Sequence, residues 1–82
     1  MKLQILGTGC MKCNKLYVEA EKAVAQAGIP VELSKVEKVE EIMTFGVLFT
    51  PALVINGQVK CAGKVPKADE ITVWLKEAAA SE

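Results

Sequence analysis

The chain contains no histidine and no arginine. Without histidine there is no Ser-His or Cys-His nucleophilic pair, no imidazole general base and no imidazole ligand for a metal. Without arginine there is no guanidinium fork to clamp a phosphate or a carboxylate in two-point geometry. Charge excess is missing as well: ten lysines balance ten acidic residues, for a formal net charge of zero. A nucleic-acid binder of this size would carry a basic face, so no nucleic-acid partner is expected. Aromatic residues are scarce, at 5%. No stretch approaches the roughly 20 apolar residues that a membrane helix requires. The apolar opening at residues 1–6 stops at Gly7, short of the roughly 7–15-residue core of a secretory signal. The expected setting is therefore cytoplasmic, with no membrane partner and with thiols kept reduced. What is left for chemistry is three cysteines, the lysines and the carboxylates.

With 82 residues, 51% of them hydrophobic and 24% charged, the chain reads as a single globular domain over residues 1–82. Residues 2–6 alternate briefly and end on Gly7-Thr8-Gly9, a strand followed by a turn. From Met11 to Ala27, Leu16, Ala20, Ala23, Val24 and Ala27 recur at helical spacing, and Gly28 and Pro30 stand where a helix stops. Residues 31–36 predict a second strand. Residues 38–43 predict a short helix with Val39, Ile42 and Met43 facing inward. Residues 52–55 form a continuous apolar strand that returns through the hairpin signal Asn56-Gly57 into residues 58–62. Residues 69–79 predict a last helix with Ile71, Trp74, Leu75 and Ala78 on one stripe. The order βαβαββα, with a right-handed first crossover, predicts an α/β fold: a four-stranded mixed sheet with helices on both faces.

Cys10 and Cys13 are spaced C-x-x-C at the junction of the first strand and first helix. If the helix begins at Met11, Cys10 is its N-cap and Cys13 lies three residues in. An N-cap thiolate accepts hydrogen bonds from the free N–H groups of the first turn, and the helix dipole and Lys12 and Lys15 also favour it. Cys10 is therefore expected to attack a disulfide, and Cys13, further in and more buried, to resolve the mixed disulfide. Two other readings of the pair are a structural couple without chemistry and a thiolate site for a soft metal such as Cu(I) or Zn(II).

Thr50-Pro51 precedes the third strand, and proline must start such a strand because it cannot donate to the ladder. This placement, the C-x-x-C and the element order together resemble the thioredoxin fold. The segments Gly-Thr-Gly-Cys-x-x-Cys, Phe-Gly-Val, Thr-Pro-Ala-Leu-Val-Ile-Asn-Gly and Ala-Gly-Lys-Val-Pro are similar to the small thioredoxin/glutaredoxin-like "redox-active disulfide protein" family. The resemblance covers essentially the whole chain. It implies a minimal thioredoxin-like fold, thiol–disulfide oxidoreductase activity and a cis peptide at Pro51 facing the cysteine pair. It also implies a substrate groove at Thr50, Pro51, Met11 and Lys12. The chain departs from thioredoxins proper, which carry Trp-Cys-Gly-Pro-Cys, since Gly9 precedes Cys10 and the single tryptophan is Trp74. It departs from glutaredoxins at Cys61-Ala62-Gly63-Lys64, where they carry a glutathione-holding Gly-Gly-x-Asp. Lys67 stands where the family has a capping serine, so Glu70 lacks a capping-box partner. Copper chaperones share a likeness at the cysteine loop, but their order βαββαβ ends on a strand.

Counting back from the Asn56-Gly57 turn pairs Ile55 with Gln58 and Ala52 with Cys61, with Val59 on the same face as Cys61. Cys61 then reads as a small apolar filler, the alternative being a third redox or metal-binding thiol. Residues 45–49 divide between core and an apolar lip beside the site. The expectation is a monomeric enzyme without cofactor or metal that reduces disulfides on client proteins and is recharged by a dithiol reductase of the thioredoxin-reductase type. A glutathione-linked glutaredoxin and a soft-metal thiolate carrier are the alternatives.

Overall fold

The structure, a computed structural model, describes residues 1–9 and 11–81. Along the chain run β1 (Lys2–Leu6), α1 (Met11–Ala27), β2 (Glu32–Val36), α2 (Val39–Met43), β3 (Ala52–Ile55), β4 (Gln58–Ala62) and α3 (Ala68–Ala80). The four strands form one sheet in the order β2-β1-β3-β4. β1 and β2 are parallel, while β1 with β3 and β3 with β4 are antiparallel. β2 starts one residue later than its pattern, where the Glu32 N–H donates to the Met1 carbonyl at 2.8 Å.

The period-two alternation of β1 and β3 sends side chains to two different cores. Leu3, Ile5, Leu53 and Ile55 pack with Leu16, Ala20 and Ala23 of α1 and Ile71 and Leu75 of α3. Leu6, Val36, Ala52 and Val54 pack on the other face with Ile42 of α2. Each large aliphatic side chain buried in this way contributes about 1.5–3 kcal/mol. Helices thus cover both faces of the mixed sheet, as the element order requires.

Two expectations need correction. α2 buries Ile42 alone, while Val39 and Met43 are exposed. Its five residues make less than two turns, too few for a stripe, and Phe45 and Val47 from the following loop complete that core instead. The hairpin register also differs. Ile55 pairs with Gln58 and Val54 with Val59, but a bulge between Leu53 and Val54 pairs Leu53 with Cys61 and Ala52 with Ala62. One extra residue flips the alternation. Val59 and Cys61 therefore end on opposite faces, and Cys61 packs against the α1/α3 core. The turn itself follows its sequence: Asn56 and Gly57 have φ of 50° and 82°, as a two-residue hairpin turn demands.

The start of α3 shows what stands in for the missing serine cap. Lys67 is the N-cap residue and makes no side-chain cap bond. The N–H of Ala68 donates to Oε1 of Glu19, on α1, at 3.0 Å. This bond, helped by Lys22 3.3 Å from Oε2, holds the Glu19 carboxyl below its ordinary range. A carboxylate with a lowered folded-state pKa contributes stability above its unfolded-state value, and that contribution is lost as pH falls through the folded value. Glu19→Gln should therefore lower Tm at pH 7, with the difference from the parent protein shrinking as the pH drops below about 4. Thermal melts at both pH values check this, and an equal difference at both would refute it.

Candidate functional site

β1, β2 and β4 finish, and β3 begins, at one end of the sheet. In register, Leu6 sits beside both Val36 and Ala52, and Ala52 beside Ala62. Beyond these the Gly7 N–H donates to the Val36 carbonyl at 3.0 Å, and the Gly63 N–H donates to the Pro51 carbonyl at 2.8 Å. Gly7, Glu37, Pro51 and Gly63 thus follow the last rungs at the same end of the molecule. α1 begins there, and Cys13 is the third residue of that helix.

Cys13 is buried, with 5% of its surface exposed. Its room is made by Gly7: a Cβ built on Gly7 would overlap Sγ of Cys13 and lie 3.0 Å from its Cβ. The requirement for glycine here is steric. A small recess borders the thiol, lined by Ile5, Gly7, Gly9, Asn14, Lys35 and Glu37 along with Cys13 itself. Ile5 pairs with Lys35, so β2 turns Lys35 to the α1 face, where its Nζ stands 4.5 Å from the centre of the Tyr17 ring. This cation–π contact ties β2 to α1 beside the recess. The Glu37 carboxylate reaches the β1–α1 turn, with Oε2 4.0 Å from where a Gly9 Cβ would be. The first turn of α1 carries no acidic residue, and Lys12 and Lys15 are exposed on it. The N-terminal end of the helix dipole therefore makes this an electropositive end.

Cys10 lies outside the described residues, and so does its reading as an N-cap thiol. The other predicted site residues fall as follows. Met11 is 88% exposed, Lys12 and Thr50 are exposed, and Pro51 is fully buried behind a cis Thr50–Pro51 peptide bond. Residues 45–49 split: Phe45 and Val47 pack into the α2 core, while Leu48 is 89% exposed and Phe49 is exposed too. Phe49 leans on Gly63, where an added Cβ would come within 3.1 Å of the Phe49 Cβ. Cys61 is a half-buried thiol on the edge strand β4. Burial pushes its pKa up, partly offset by a hydrogen bond from the Leu53 backbone, so it stays protonated at neutral pH. Cys61 lies across β3 from Ile5, a lateral separation of about 10 Å at two strand spacings.

Sequence reasoning missed Gly7, Lys35 and Glu37. Lys35 and Glu37 look like ordinary strand charges, and the parallel β1–β2 register is what brings them to the α1 face. The register was inferable from the first βαβ unit, but its alignment residue by residue was not. Among the described residues no three His, Cys, Asp or Glu side chains gather into a metal-holding group. Nor is any described helix long and apolar enough to cross a membrane.

A mixed four-stranded sheet in βαβαββα order, a cysteine in the first turn of α1 and a cis proline at the same sheet end define a thioredoxin-like α/β fold. Comparison with known families agrees, since the chain matches the thioredoxin domain model over residues 1–76, and it belongs to that family. It is 38% identical over 71 residues to a protein named thioredoxin from Methanothermobacter thermautotrophicus, covering 87% of this chain and 92% of that protein. To a thioredoxin from Methanocaldococcus jannaschii it is 40% identical over 74 residues, covering 90% of this chain and 85% of the relative. Membership and these relatives support thiol oxidoreductase chemistry of the thioredoxin type.

Proposed function

We propose that this chain is a cytoplasmic, monomeric thiol–disulfide oxidoreductase that reduces disulfides on client proteins and carries electrons to them from a dithiol reductase. The observation that carries the reading is Cys13, buried in the first turn of α1 at the sheet end that also holds Pro51. Cys10 attacks the client disulfide as a thiolate. Cys13 then attacks Cys10, releases the reduced client and leaves a Cys10–Cys13 disulfide. The pair is its own redox centre and needs no cofactor or metal. Thr50, Pro51, Met11 and Lys12 border the groove in which a client segment lies, and exposed Leu48 and Phe49 offer it apolar contact. Cys61, half-buried on β4 with its pKa pushed up by burial, is read as packing rather than as a third redox thiol.

The donor follows from what the chain lacks. Glutathione presents two carboxylates, and a chain without arginine has only lysines and backbone N–H groups with which to hold them. Turnover of a protein disulfide should therefore be faster with NADPH and a thioredoxin reductase than with glutathione and its reductase, by roughly tenfold or more. Equal or faster turnover with glutathione would replace this reading by the glutaredoxin one. No turnover with either donor, together with about one zinc or copper per chain after anaerobic purification, would replace it by the metal-carrier one.

A further inference from the structure

We propose that the site ranks its clients by charge polarity. It prefers a disulfide flanked by basic residues on the side that meets α2 and by acidic residues on the side that meets Lys64 and the start of α1. The inference rests on the oxidoreductase reading above and names the substrate class of that same site.

The chain is neutral as a whole, yet its charges are sorted along the sequence. Residues 1–18 and 42–68 contain no acidic residue. Three connections meet at the site end of the sheet: the turn before α1, residues 37–51 between β2 and β3, and residues 63–67 between β4 and α3. Of these, only the second brings carboxylates, those of Glu37, Glu40 and Glu41, against the single cation Lys38. α2 starts three residues beyond Val36, the end of β2, so its charges stay within about 11 Å of chain from the last rung. The other two connections bring ammonium groups. Lys64 follows Gly63, which is bonded to the Pro51 carbonyl, and Lys12 and Lys15 stand on the first turns of α1.

The topology holds the two sets apart. β2 and β4 are opposite edges of the sheet, about 14 Å apart at three strand spacings. α1 covers one face and α2 the other. The carboxylates therefore mark the corner of β2 and α2, and the ammonium groups mark the corner of β4 and α1. Gly7, Cys13 and Pro51 lie on the diagonal between them, at the ends of the central strands. Lys35 does not blunt the acidic corner, because it is turned to the α1 face and held over Tyr17. Asp69 and Glu70 do not blunt the basic one. They open α3, whose Ala68 N–H is held by Glu19, about 12 Å along α1 from its start.

These charges are available to a partner. Glu37, Glu40, Glu41, Lys12, Lys15 and Lys64 are all exposed, and among the described residues none of them forms an ion pair. Exposed Val39 and Met43 give the acidic corner apolar surface beside its carboxylates. Rim charges of this kind act within a Debye length of about 8 Å, and they steer and orient a partner more than they hold it. A client with the matching polarity is drawn in, and one with the reverse polarity meets like charge at both corners.

Two peptides test this, each with one cysteine joined by a disulfide to a coloured aromatic thiol. One has a run of lysines before the cysteine and a run of glutamates after it, and the other has the runs exchanged. Cys10 attacks the peptide sulfur and expels the aromatic thiolate. Cys13 then attacks Cys10 and expels the peptide thiolate, which takes up a proton from water. The cysteine pair gives up two electrons and the peptide–aryl disulfide takes up two. At low ionic strength the rate constants for colour release should differ between the two peptides by roughly fivefold or more. The difference should fade near 1 M salt, where the Debye length is about 3 Å. Glu40→Lys/Glu41→Lys should abolish it and Lys64→Glu should reduce it, while a peptide with serines in both runs reacts within about twofold in all three proteins. Equal rates for the two peptides in the parent protein, or a preference that survives Glu40→Lys/Glu41→Lys or high salt, would overturn the proposal. If the parent protein does not reduce the serine peptide, the oxidoreductase reading itself fails, and the ranking of clients falls with it.

Discussion

Cys13→Ser, built on Cys61→Ala, is expected to hold client proteins as long-lived disulfide adducts through Cys10, whereas Cys10→Ser captures none. The difference follows from the order of bond making. Attack on a client disulfide needs a thiolate, and serine is no comparable nucleophile at neutral pH. Losing Cys10 therefore removes the first covalent step. Losing Cys13 leaves that step intact and removes the second, so the mixed disulfide accumulates. Both single variants should lose roughly a hundredfold or more in turnover, as variants of a mutually dependent set do. Non-reducing gels separate them, and mass spectrometry of the linked peptides identifies the attached cysteine. Serine is close to cysteine in size, so the buried site at position 13 keeps its packing. Cys61→Ala removes a half-buried thiol that could otherwise substitute as resolver. If Cys10→Ser captures clients and Cys13→Ser does not, the roles are reversed.

Much of this architecture was legible because local signals agreed with one another. Gly28 and Pro30 end α1 where its apolar spacing ends, and Asn56-Gly57 makes the hairpin turn that its positive φ values require. What escaped reading depends on contacts between distant segments. The extra residue, Lys60 of β4, leaves no trace in a strand whose sequence alternates polar and apolar, yet it moves Cys61 to the face opposite Val59. The cap on α3 comes from Glu19, 49 residues earlier, and Lys67 at the cap position offers no hint of it. The same limit applies at the site. The C-x-x-C pattern marks the cysteines, but the residues that shape the space around Cys13 arrive from β1 and β2. Gly7 in particular reads as a turn glycine, whereas the structure uses it as a void for a sulfur atom.

That use makes Gly7→Ala the substitution outside the cysteines with the largest expected effect. The added methyl group would occupy the position of Cys13 Sγ, and neither partner can yield easily. Gly7 is held by its N–H bond to Val36 at the last rung of the sheet. Cys13 is short, buried and fixed in the first turn of a 17-residue helix. Overpacking of this kind costs about 1–3 kcal/mol, and each kcal/mol shifts Tm by roughly 4–8 °C in a domain of this size. The start of α1 must tilt or the Cys13 side chain must rotate, and either change misaligns the sulfur. Resolution should therefore slow together with the loss of stability. A double-mutant cycle isolates the cause. In a Cys13→Ala background the sulfur is gone and a Cβ–Cβ approach of 3.0 Å remains, so Gly7→Ala should cost distinctly less there than in the parent protein. Equal costs in the two backgrounds would mean that the methyl group is rejected by something other than Cys13, and that Gly7 does not exist to make room for the thiol.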